Sequence, residues 1–406
     1  MSSSLIQLEC GCNNYPWGKK GKESLAAQYA ASTPGGNFKL DESKEYAEMW
    51  CGTYPTTPSS ILSTGEDLQK HLNAHADQLI GPSILKKHGT DLPFLPKILS
   101  IAKALPLQIH PDKSLAAKLH KQDPEKYSDD NHKPEIAVAL GKFEVFVGFK
   151  PLEKIEKLFT TIPVLKEKFG VKGKLEKEGL RELVGKILGA SDEEIVGVYE
   201  KLRGMKKEEF GDEGHITDLL PRLAEQYDKS DPGNLVALLT MNFLVLEKGD
   251  AIFVPADGIH AYLSGNIVEC MARSDNVINT GFCPRADRDD VSLFTNALTF
   301  SPSSGEDALL KPTSSNKGVY GKTKVLAPPM SEFNMLVTQL GPRDKETIKA
   351  IDGPSVILVT DGKGTLKAGG EVQSAKEGYI FFLGAGTELN VTSDDGLELH
   401  MAYCEA

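Results

Sequence analysis

The 406-residue chain lacks the features that would place it in a membrane or mark it for secretion. It has no run of about 18 apolar residues, so no segment predicts a membrane-spanning helix. Its first residues, MSSSL, have no basic stretch followed by an apolar core, so they do not predict a secretory signal. We therefore expect a cytoplasmic protein with no membrane partner.

Positive charge and cysteine are both scarce. There are 46 lysines and arginines against 57 aspartates and glutamates, and the net charge of −11 argues against a nucleic-acid partner. An acidic chain can still have a local basic pocket for a small anion. The six cysteines are too few and too scattered for a disulfide framework, so we expect reduced thiols, including the Cys10-x-Cys12 pair.

Apolar residues make up 40% of the chain and charged residues 25%, as in an ordinary globular protein, and the length predicts two or three domains. The first 150 residues combine short apolar runs with proline and glycine, which predicts β-strands. We expect consecutive strands over residues 93–110. The runs at 136–140 and 143–147 flank Gly141-Lys142, which predicts a two-residue hairpin.

From Pro151 to about Asn234 the composition changes to lysine, glutamate and leucine with helical spacing. An apolar stripe at i, i+3, i+4, i+7 and i+8 predicts an amphipathic helix, and its members are Leu180, Leu183, Val184, Ile187 and Leu188. Ser191 then serves as an N-cap with Glu194 at the third helical position. We therefore predict a helical insertion over residues 151–234.

A β pattern resumes at residues 243–246 and 251–254 and continues in Gly-rich surroundings at 356–359, 379–382 and 397–401. Residues 249–260 and 378–387 share a glycine, five residues and a small turn, and only the first copy ends in a histidine, His260. This pattern resembles the second motif of the cupins. The predicted fold class is mainly β with a helical insertion, as two cupin-type jelly rolls plus an α-helical domain. The expected domains are a discontinuous catalytic jelly roll (1–150 and 235–310), the helical insertion (151–234) and a degenerate jelly roll (311–406).

Four side chains on three β segments could hold a metal ion in the first jelly roll. Residues i and i+2 of a strand face the same way, so Gln108 and His110 share a face, as do Lys133 and Glu135. With His260 they offer two imidazoles, a carboxylate and a carboxamide, which suit Zn²⁺, although two histidines and a carboxylate also suit Fe(II).

Six further histidines are not candidates for binding the metal. A histidine on a β face is often only a hydrogen-bonded structural residue, and we interpret His132, on the face opposite Lys133, as structural or at the rim. We expect surface positions for His71, His75, His88, His120 and His215.

Several long motifs closely resemble the type I mannose-6-phosphate isomerase family, and they run through most of the chain. They lie at residues 15–18 (YPWG), 46–52 (YAEMWCG), 107–113 (LQIHPDK), 127–135 (YSDDNHKPE) and 260–276 (HAYLSGNIVECMARSDN). The resemblance implies one Zn²⁺ per chain, held by Gln108, His110, Glu135 and His260. It also implies interconversion of mannose 6-phosphate and fructose 6-phosphate, a step toward GDP-mannose, by a monomer whose partner is a small phosphosugar.

The chain departs from the family pattern just after the last motif. An arginine that the family usually has is Asn279 here, a lysine is Arg285, and a serine found in some relatives is Pro106. We therefore do not assign the arginine's role to Asn279. Arg285 is a candidate catalytic residue and the nearest match for a cation that binds the phosphate, and Arg288 or Arg273 could supply the missing charge.

Isomerisation through a cis-enediol(ate) needs a proton-transfer group and an anchor for the phosphate. Lys133, on the face of Glu135, and Glu269 on a later strand are the candidates for proton transfer. Further candidates for lining the substrate site are Lys97, Trp17 and Glu48, and the last two could equally serve barrel packing.

Two other interpretations remain open. An Fe(II) cupin oxygenase would use His110, Glu135 and His260 and would consume O₂. A non-catalytic sugar-binding protein with two cupin domains would bind without turnover, and the departure at Asn279 favours it.

Overall fold

A computed structural model describes residues 3–171, 173–330 and 332–405. Two ten-stranded antiparallel sheets and a group of helices build the protein, in agreement with the predicted fold class of β domains with a helical insertion. A two-stranded ribbon completes the sheet structure of these residues.

The strands that precede residue 311 run from the N-terminus to the end of the predicted catalytic region. They are β1 (Leu5–Glu9), β2 (Gly11–Asn13), β3 (Lys19–Lys20), β4 (Glu45–Tyr46), β5 (Glu48–Trp50), β6 (Ser60–Ile61), β7 (Phe94–Ile101), β8 (Leu107–Ile109), β9 (Glu135–Ala139), β10 (Phe143–Phe149), β11 (Met241–Leu246), β12 (Ala251–Val254), β13 (His260–Ala272) and β14 (Ile278–Gly281). The strands predicted over residues 93–110 are confirmed as β7 and β8.

The strands of the C-terminal region follow closely on one another. They are β15 (Thr313–Ser314), β16 (Thr323–Leu326), β17 (Asn334–Leu340), β18 (Lys345–Ile348), β19 (Ser355–Ala368), β20 (Glu371–Lys376), β21 (Ile380–Leu383) and β22 (Leu389–Tyr403).

Of the twelve α-helices in the described residues, six lie between β10 and β11. The twelve are α1 (Leu25–Ser32), α2 (Leu68–Ala74), α3 (Ala76–Leu79), α4 (Pro82–His88), α5 (Lys113–Gln122), α6 (Leu152–Thr161), α7 (Pro163–Phe169), α8 (Lys177–Leu188), α9 (Asp192–Arg203), α10 (Ile216–Gln226), α11 (Gly233–Thr240) and α12 (Val291–Ala297). Short 3₁₀ helices span Gly21–Glu23, Lys207–Glu213, Arg285–Asp287 and Gly305–Ala308.

The predicted helical insertion is confirmed in its main features. The whole apolar stripe of α8 is buried, because one face of an amphipathic helix packs into a core. Ser191 caps α9, since its Oγ accepts from the backbone of Glu194 and the Glu194 carboxylate accepts from the backbone of Ser191. The helical segment continues six residues beyond Asn234, to the end of α11.

The first large sheet is organised around the long strand β13. Its first half pairs with β10 and β8, and its second half pairs with β7 and β9. Gly265 lies between the halves with φ of +131°, where a Cβ would be 2.7 Å from the Lys142 carbonyl oxygen. The bend therefore needs glycine, and it brings β8 and β9 to the same strand.

The hairpin predicted at Gly141-Lys142 is wrong. β9 pairs with β12 and β13, whereas β10 pairs with β11 and β13. Gly141 and Lys142 instead connect β9, which pairs with the second half of β13, to β10, which pairs with the first half.

The second large sheet has the order β15-β16-β17-β22-β19-β21-β1-β6, with β18 on β22 and β20 on β19. β1 pairs antiparallel with β21 over Leu5↔Leu383 to Leu8↔Ile380, so an N-terminal strand completes the C-terminal sheet. The division at residues 150, 234 and 310 stays a prediction, and this pairing shows that the sheets do not follow it at the N-terminus.

Candidate active site

Three buried metal-binding side chains converge where β8, β9 and β13 meet. His110 follows β8, Glu135 begins β9 and His260 begins β13. Their donor atoms all lie within 4.8 Å of one another, and each of the three residues is at most 1% exposed. Among the described residues, this is the group of histidine, cysteine and carboxylate side chains that could hold a metal ion.

The hydrogen bonds of the two histidines fix their tautomers. Nδ1 of His110 lies 2.8 Å from the Asn276 carbonyl oxygen, and Nδ1 of His260 lies 2.9 Å from that of Gly258. A carbonyl oxygen only accepts, so each Nδ1 carries the proton and each Nε2 presents a lone pair. Backbone acceptors of this kind commonly orient metal-ligating histidines.

Both lone pairs point at a carboxylate rather than at a donor. Nε2 of His110 is 3.1 Å from Glu135 Oε1, and Nε2 of His260 is 3.6 Å from Glu135 Oε2. Neither Nε2 makes a hydrogen bond to any described residue, although both atoms are buried. Acceptors that face one another in a dry site repel unless a cation lies between them, so these residues fit a metal ion.

The electrostatics of the three side chains favour the same protonation states. Burial lowers the pKa of His110 to about 4, assisted by the Lys133 charge, and burial also lowers the pKa of His260. Burial alone would raise the pKa of Glu135, but Lys133 and the two histidines hold it well below its usual range. Neutral imidazoles and an ionised carboxylate are the forms that bind metal.

Gln108 lies beside this group through the strand register. It is directly opposite His260 on β13 and directly opposite Asn279 on β14. Opposed residues of antiparallel strands project to the same face, so the Gln108 amide faces the same space as His260. The amide oxygen of Asn279 is buried there without a hydrogen bond to a described residue.

Lys133 and Tyr262 both contact the carboxylate of Glu135. Lys133 Nζ is 3.4 Å from Glu135 Oε1, and the side chain is 9% exposed. The Tyr262 hydroxyl donates to Glu135 Oε2 at 3.0 Å. The sequence prediction missed Tyr262, although it is two residues after His260 on the same strand, and strand alternation would have indicated it.

A second buried cluster of charged side chains adjoins the Glu135 carboxylate. Lys97 Nζ is 3.2 Å from Glu48 Oε2 and 3.5 Å from Glu269 Oε2, and it lies 4.3 Å from the ring centroid of Trp50. Burial, reinforced by the Glu135 charge, raises the pKa of Glu269 to about 8 despite the nearby Lys97. The structure thus brings together the predicted residues Glu48, Lys97 and Glu269, all less than 10% exposed.

The remaining candidates line an adjacent cleft of about 890 Å³. Trp17, Arg285 and Arg288 lie on its wall with Asn279, which links it to Gln108 through the β8–β14 pair. The sequence prediction missed Lys103, an exposed cation on the same wall, and the sequence gives no spacing signal that would distinguish it from a solvated lysine.

The arginines near the cleft differ in how they are held. Arg285 is 63% exposed in its side chain and pairs with Asp192 at the start of α9. Arg288 pairs with the fully buried Asp231 at 2.9 Å. Arg273 instead bonds Thr53 and lines a separate cavity of about 390 Å³, so it does not share the wall of Arg285 and Arg288.

Three further histidines lie outside the metal centre, and only one of them contradicts a prediction from the sequence. The prediction that His215 is a surface residue is wrong, because its ring stacks on Phe243 at 5.0 Å and burial lowers its pKa to about 4. His400, not singled out in the sequence, is buried and bonds Thr360. His132 bonds Glu332 at 2.7 Å, which confirms its structural interpretation.

Comparisons with known proteins identify the family. The family model for the type I phosphomannose isomerase catalytic domain matches residues 5–152, and the model for the C-terminal region matches 325–371. Mannose-6-phosphate isomerase of Schizosaccharomyces pombe is 36% identical over 420 residues, covering 99% of this chain and 100% of the relative. The enzyme of Ogataea parapolymorpha is 37% identical over 433 residues, and the match covers 100% of each chain.

The chain belongs to the type I phosphomannose isomerase family. The resemblance read from its motifs is confirmed. The crystal structure of mannose 6-phosphate isomerase from Salmonella typhimurium bound to substrate and zinc has the same fold, with a TM-score of 0.82 over all of both chains at 24% identity. In this member of the phosphomannose isomerase family, none of the described helices is long and apolar enough to cross a membrane.

Proposed function

We propose that the protein is a zinc-dependent aldose–ketose isomerase that interconverts mannose 6-phosphate and fructose 6-phosphate. The observation that carries the proposal is the meeting of His110, Glu135 and His260 with both Nε2 lone pairs directed at one carboxylate. In a member of this family, such a site is best explained as the metal centre of the isomerase.

One Zn²⁺ per chain would be held by Gln108, His110, Glu135 and His260. The donor set of two nitrogens and two oxygens suits zinc and leaves room for substrate. When bound, zinc supplies Lewis-acid polarisation of the sugar carbonyl. Tyr262 orients the Glu135 carboxylate by its hydrogen bond, as partners of ligating carboxylates commonly do.

The reaction moves a proton between C1 and C2 of the sugar through a cis-enediol(ate). Glu269 is the candidate proton carrier, since a carboxyl group whose pKa is raised to about 8 is mostly protonated at neutral pH and can release and regain its proton there. Lys133 is a mostly buried cation beside Glu135, suited to donating a hydrogen bond to a developing oxyanion or to handling a proton. Lys97 and Glu48 hold Glu269 in place and border the site.

The phosphate of the substrate would enter the cleft on the side of Arg285 and Arg288. A phosphomonoester carries about −1.5 to −2 charges at neutral pH, and guanidinium groups bind such anions in bidentate fashion. The high exposure of Arg285 leaves it free to change partner from Asp192 to a phosphate. Trp17 offers a partly buried ring on the same wall.

In the cell the protein would act as a cytoplasmic monomer, supplying mannose 6-phosphate for GDP-mannose and glycan synthesis. Its partner would be the small phosphosugar, with no nucleic acid or membrane involved. The net charge of −11 agrees with this, because an acidic protein can still offer a few cations to a small anion, as Lys103, Arg285 and Arg288 do at the cleft.

A coupled isomerase assay on metal-stripped and zinc-reloaded protein tests the proposal. We expect removal of zinc by a chelator to abolish conversion of mannose 6-phosphate, and zinc to restore it. Full turnover by rigorously metal-free protein would contradict the metal's role. Sugar phosphate binding without turnover would favour a non-catalytic binding protein, and bound iron with O₂ consumption would favour an oxygenase.

A further inference from the structure

Two of the chain's motifs are joined by one carboxylate outside the metal centre. Oδ1 of Asp129 accepts from the backbone of Asn131 and from the side chain of Asn276, both at 3.0 Å. Its Oδ2 accepts at 3.0 Å from the backbone of Asp275 and from the Tyr54 hydroxyl. The Ser128 hydroxyl also donates to Oδ2, at 3.4 Å. Asp129 therefore accepts from five donors that come from three separate segments.

The first segment that Asp129 holds leads directly to His110. Asn276 is 1% exposed, and its backbone oxygen accepts the Nδ1 proton of His110. The side-chain amide of Asn276 donates to the carbonyl oxygen of Asp129 at 2.7 Å and to its carboxylate. The position of the carbonyl that sets the tautomer and ring orientation of His110 thus depends on contacts with Asp129.

The second segment that Asp129 holds leads to Lys133 and Glu135. The bond from the Asn131 backbone to Asp129 closes a turn two residues before Lys133. Beyond that turn, Asn131 donates to the Arg273 carbonyl, and the Ala272 backbone donates to the Pro134 carbonyl. The entry to β9 is therefore fixed against the exit from β13, on the side where Glu135 must reach the histidines.

We infer that Asp129 is a positioning residue of the metal centre, which sets the orientation of His110 and the approach of Glu135 without touching the ion. The inference rests on the proposed zinc site and adds a residue to its support. Only an ionised carboxylate offers acceptors on both oxygens at once. An asparagine in its place would direct an N–H₂ group at two or more of these donors.

Substitution of Asp129 by asparagine tests the inference, with Asp130→Asn as the matched control. Asp130 is the exposed neighbour, so its substitution removes the same charge one residue away. Zinc affinity is measured by titrating the zinc-loaded enzymes with a competing chelator, and thermal unfolding is followed on the same samples. We expect Asp129→Asn to weaken zinc binding about 10- to 100-fold, with activity recovering toward wild type at saturating zinc. Asp130→Asn should leave zinc affinity unchanged.

An Asp129→Asn protein that unfolds more readily but binds zinc as tightly as wild type would overturn the inference, since a purely structural role predicts that result. So would equal losses in the two variants. If Asp129→Asn does not fold, Tyr54→Phe removes one donor and leaves the carboxylate in place, and we expect zinc binding to weaken severalfold. Unchanged affinity in that variant would refute the positioning role. Failure of the wild-type protein to bind zinc would instead reject the proposed function itself.

Discussion

The two buried glutamates near the metal centre have their charges set by particular neighbours as well as by burial. Glu135 and Glu269 are both buried, yet the pKa of the first is held low and that of the second is raised to about 8. The difference follows from their partners, because Glu135 meets Lys133 and two imidazoles, whereas Glu269 shares Lys97 with Glu48. Two carboxylates in one site can therefore serve as ligand and proton carrier.

Replacement of Lys133 by methionine should lower kcat at saturating zinc by about 100-fold or more, with a much smaller change in KM. The side chain retains its length and apolar stem but loses the charge 3.4 Å from Glu135. Steady-state kinetics on samples of verified zinc content measure the effect. Lys121→Met, which removes an exposed charge, is the control. A loss confined to KM would make Lys133 a binding residue only.

For single residues, the sequence predicted which side chains share a face of one strand. Only the structure shows which residues of other strands they contact. The i, i+2 rule placed Gln108 with His110 and Lys133 with Glu135 on common faces. It could not show that Gln108 is opposite His260, because that register depends on folding across about 150 residues. For the same reason the bond from the Tyr262 hydroxyl to Glu135 and the acceptor role of the Asn276 backbone could not be predicted, although strand alternation places Tyr262 on the face of His260.

Among the elements, the turn between β14 and α12 gives the cleft its cationic wall. Phe282 adopts a φ of +53°, which costs a non-glycine residue free energy, and its N–H donates to Asp231. The same Asp231 carboxylate accepts from Gly233 of α11 and from Arg288. A buried carboxylate in the helical region thus holds the turn in a conformation that presents Arg285 to the cleft.

Arg285→Ala should raise KM for mannose 6-phosphate about 10- to 100-fold while kcat changes little, because a hydrogen-bonded charge contributes about 1.5–3 kcal/mol. Asp192→Asn is the matched control, since it breaks the Arg285 ion pair and keeps the guanidinium. We expect KM to fall or stay unchanged in that variant. Wild-type kinetics in Arg285→Ala would show that the phosphate binds elsewhere.

Periodicity predicted the elements well where the pattern was local, as in the α8 stripe and the α9 cap. It failed for the Gly141-Lys142 hairpin, where a favourable turn sequence was outweighed by pairing with β13. A two-residue turn sequence predicts that the chain turns, but it does not determine whether the strands on either side of the turn pair with each other.

In the whole molecule, the two large sheets are connected by an N-terminal strand and by a shared apolar core, in addition to the covalent chain. β1 enters the C-terminal sheet beside β21, and one apolar core includes residues from both sheets, such as Met49 and Val356. The sequence could not predict this exchange, because an N-terminal strand with a buried face suits either sheet. The regions on either side of residue 310 therefore depend on one another for stability.

A polar contact between these regions should make the stability of the protein depend on pH. Glu332, from the segment before β17, accepts from His132 at 2.7 Å and from Lys113 at 2.9 Å. The bond from His132, together with the bond from Lys113, outweighs burial and lowers the pKa of Glu332 to about 2. Because this lies below the unfolded value of about 4.3, the contact stabilises the fold above that value and is lost as the pH falls through about 2.

Glu332→Gln should therefore lower the free energy of unfolding by roughly 2 kcal/mol at pH 7, and the deficit should shrink to about half or less near pH 3. Denaturant unfolding of metal-free wild type and variant at both pH values measures it. Glu178→Gln, an exposed glutamate on α8, controls for the loss of one negative charge. A deficit that is the same at both pH values would mean that the variant perturbs packing rather than the charged contact between the two regions.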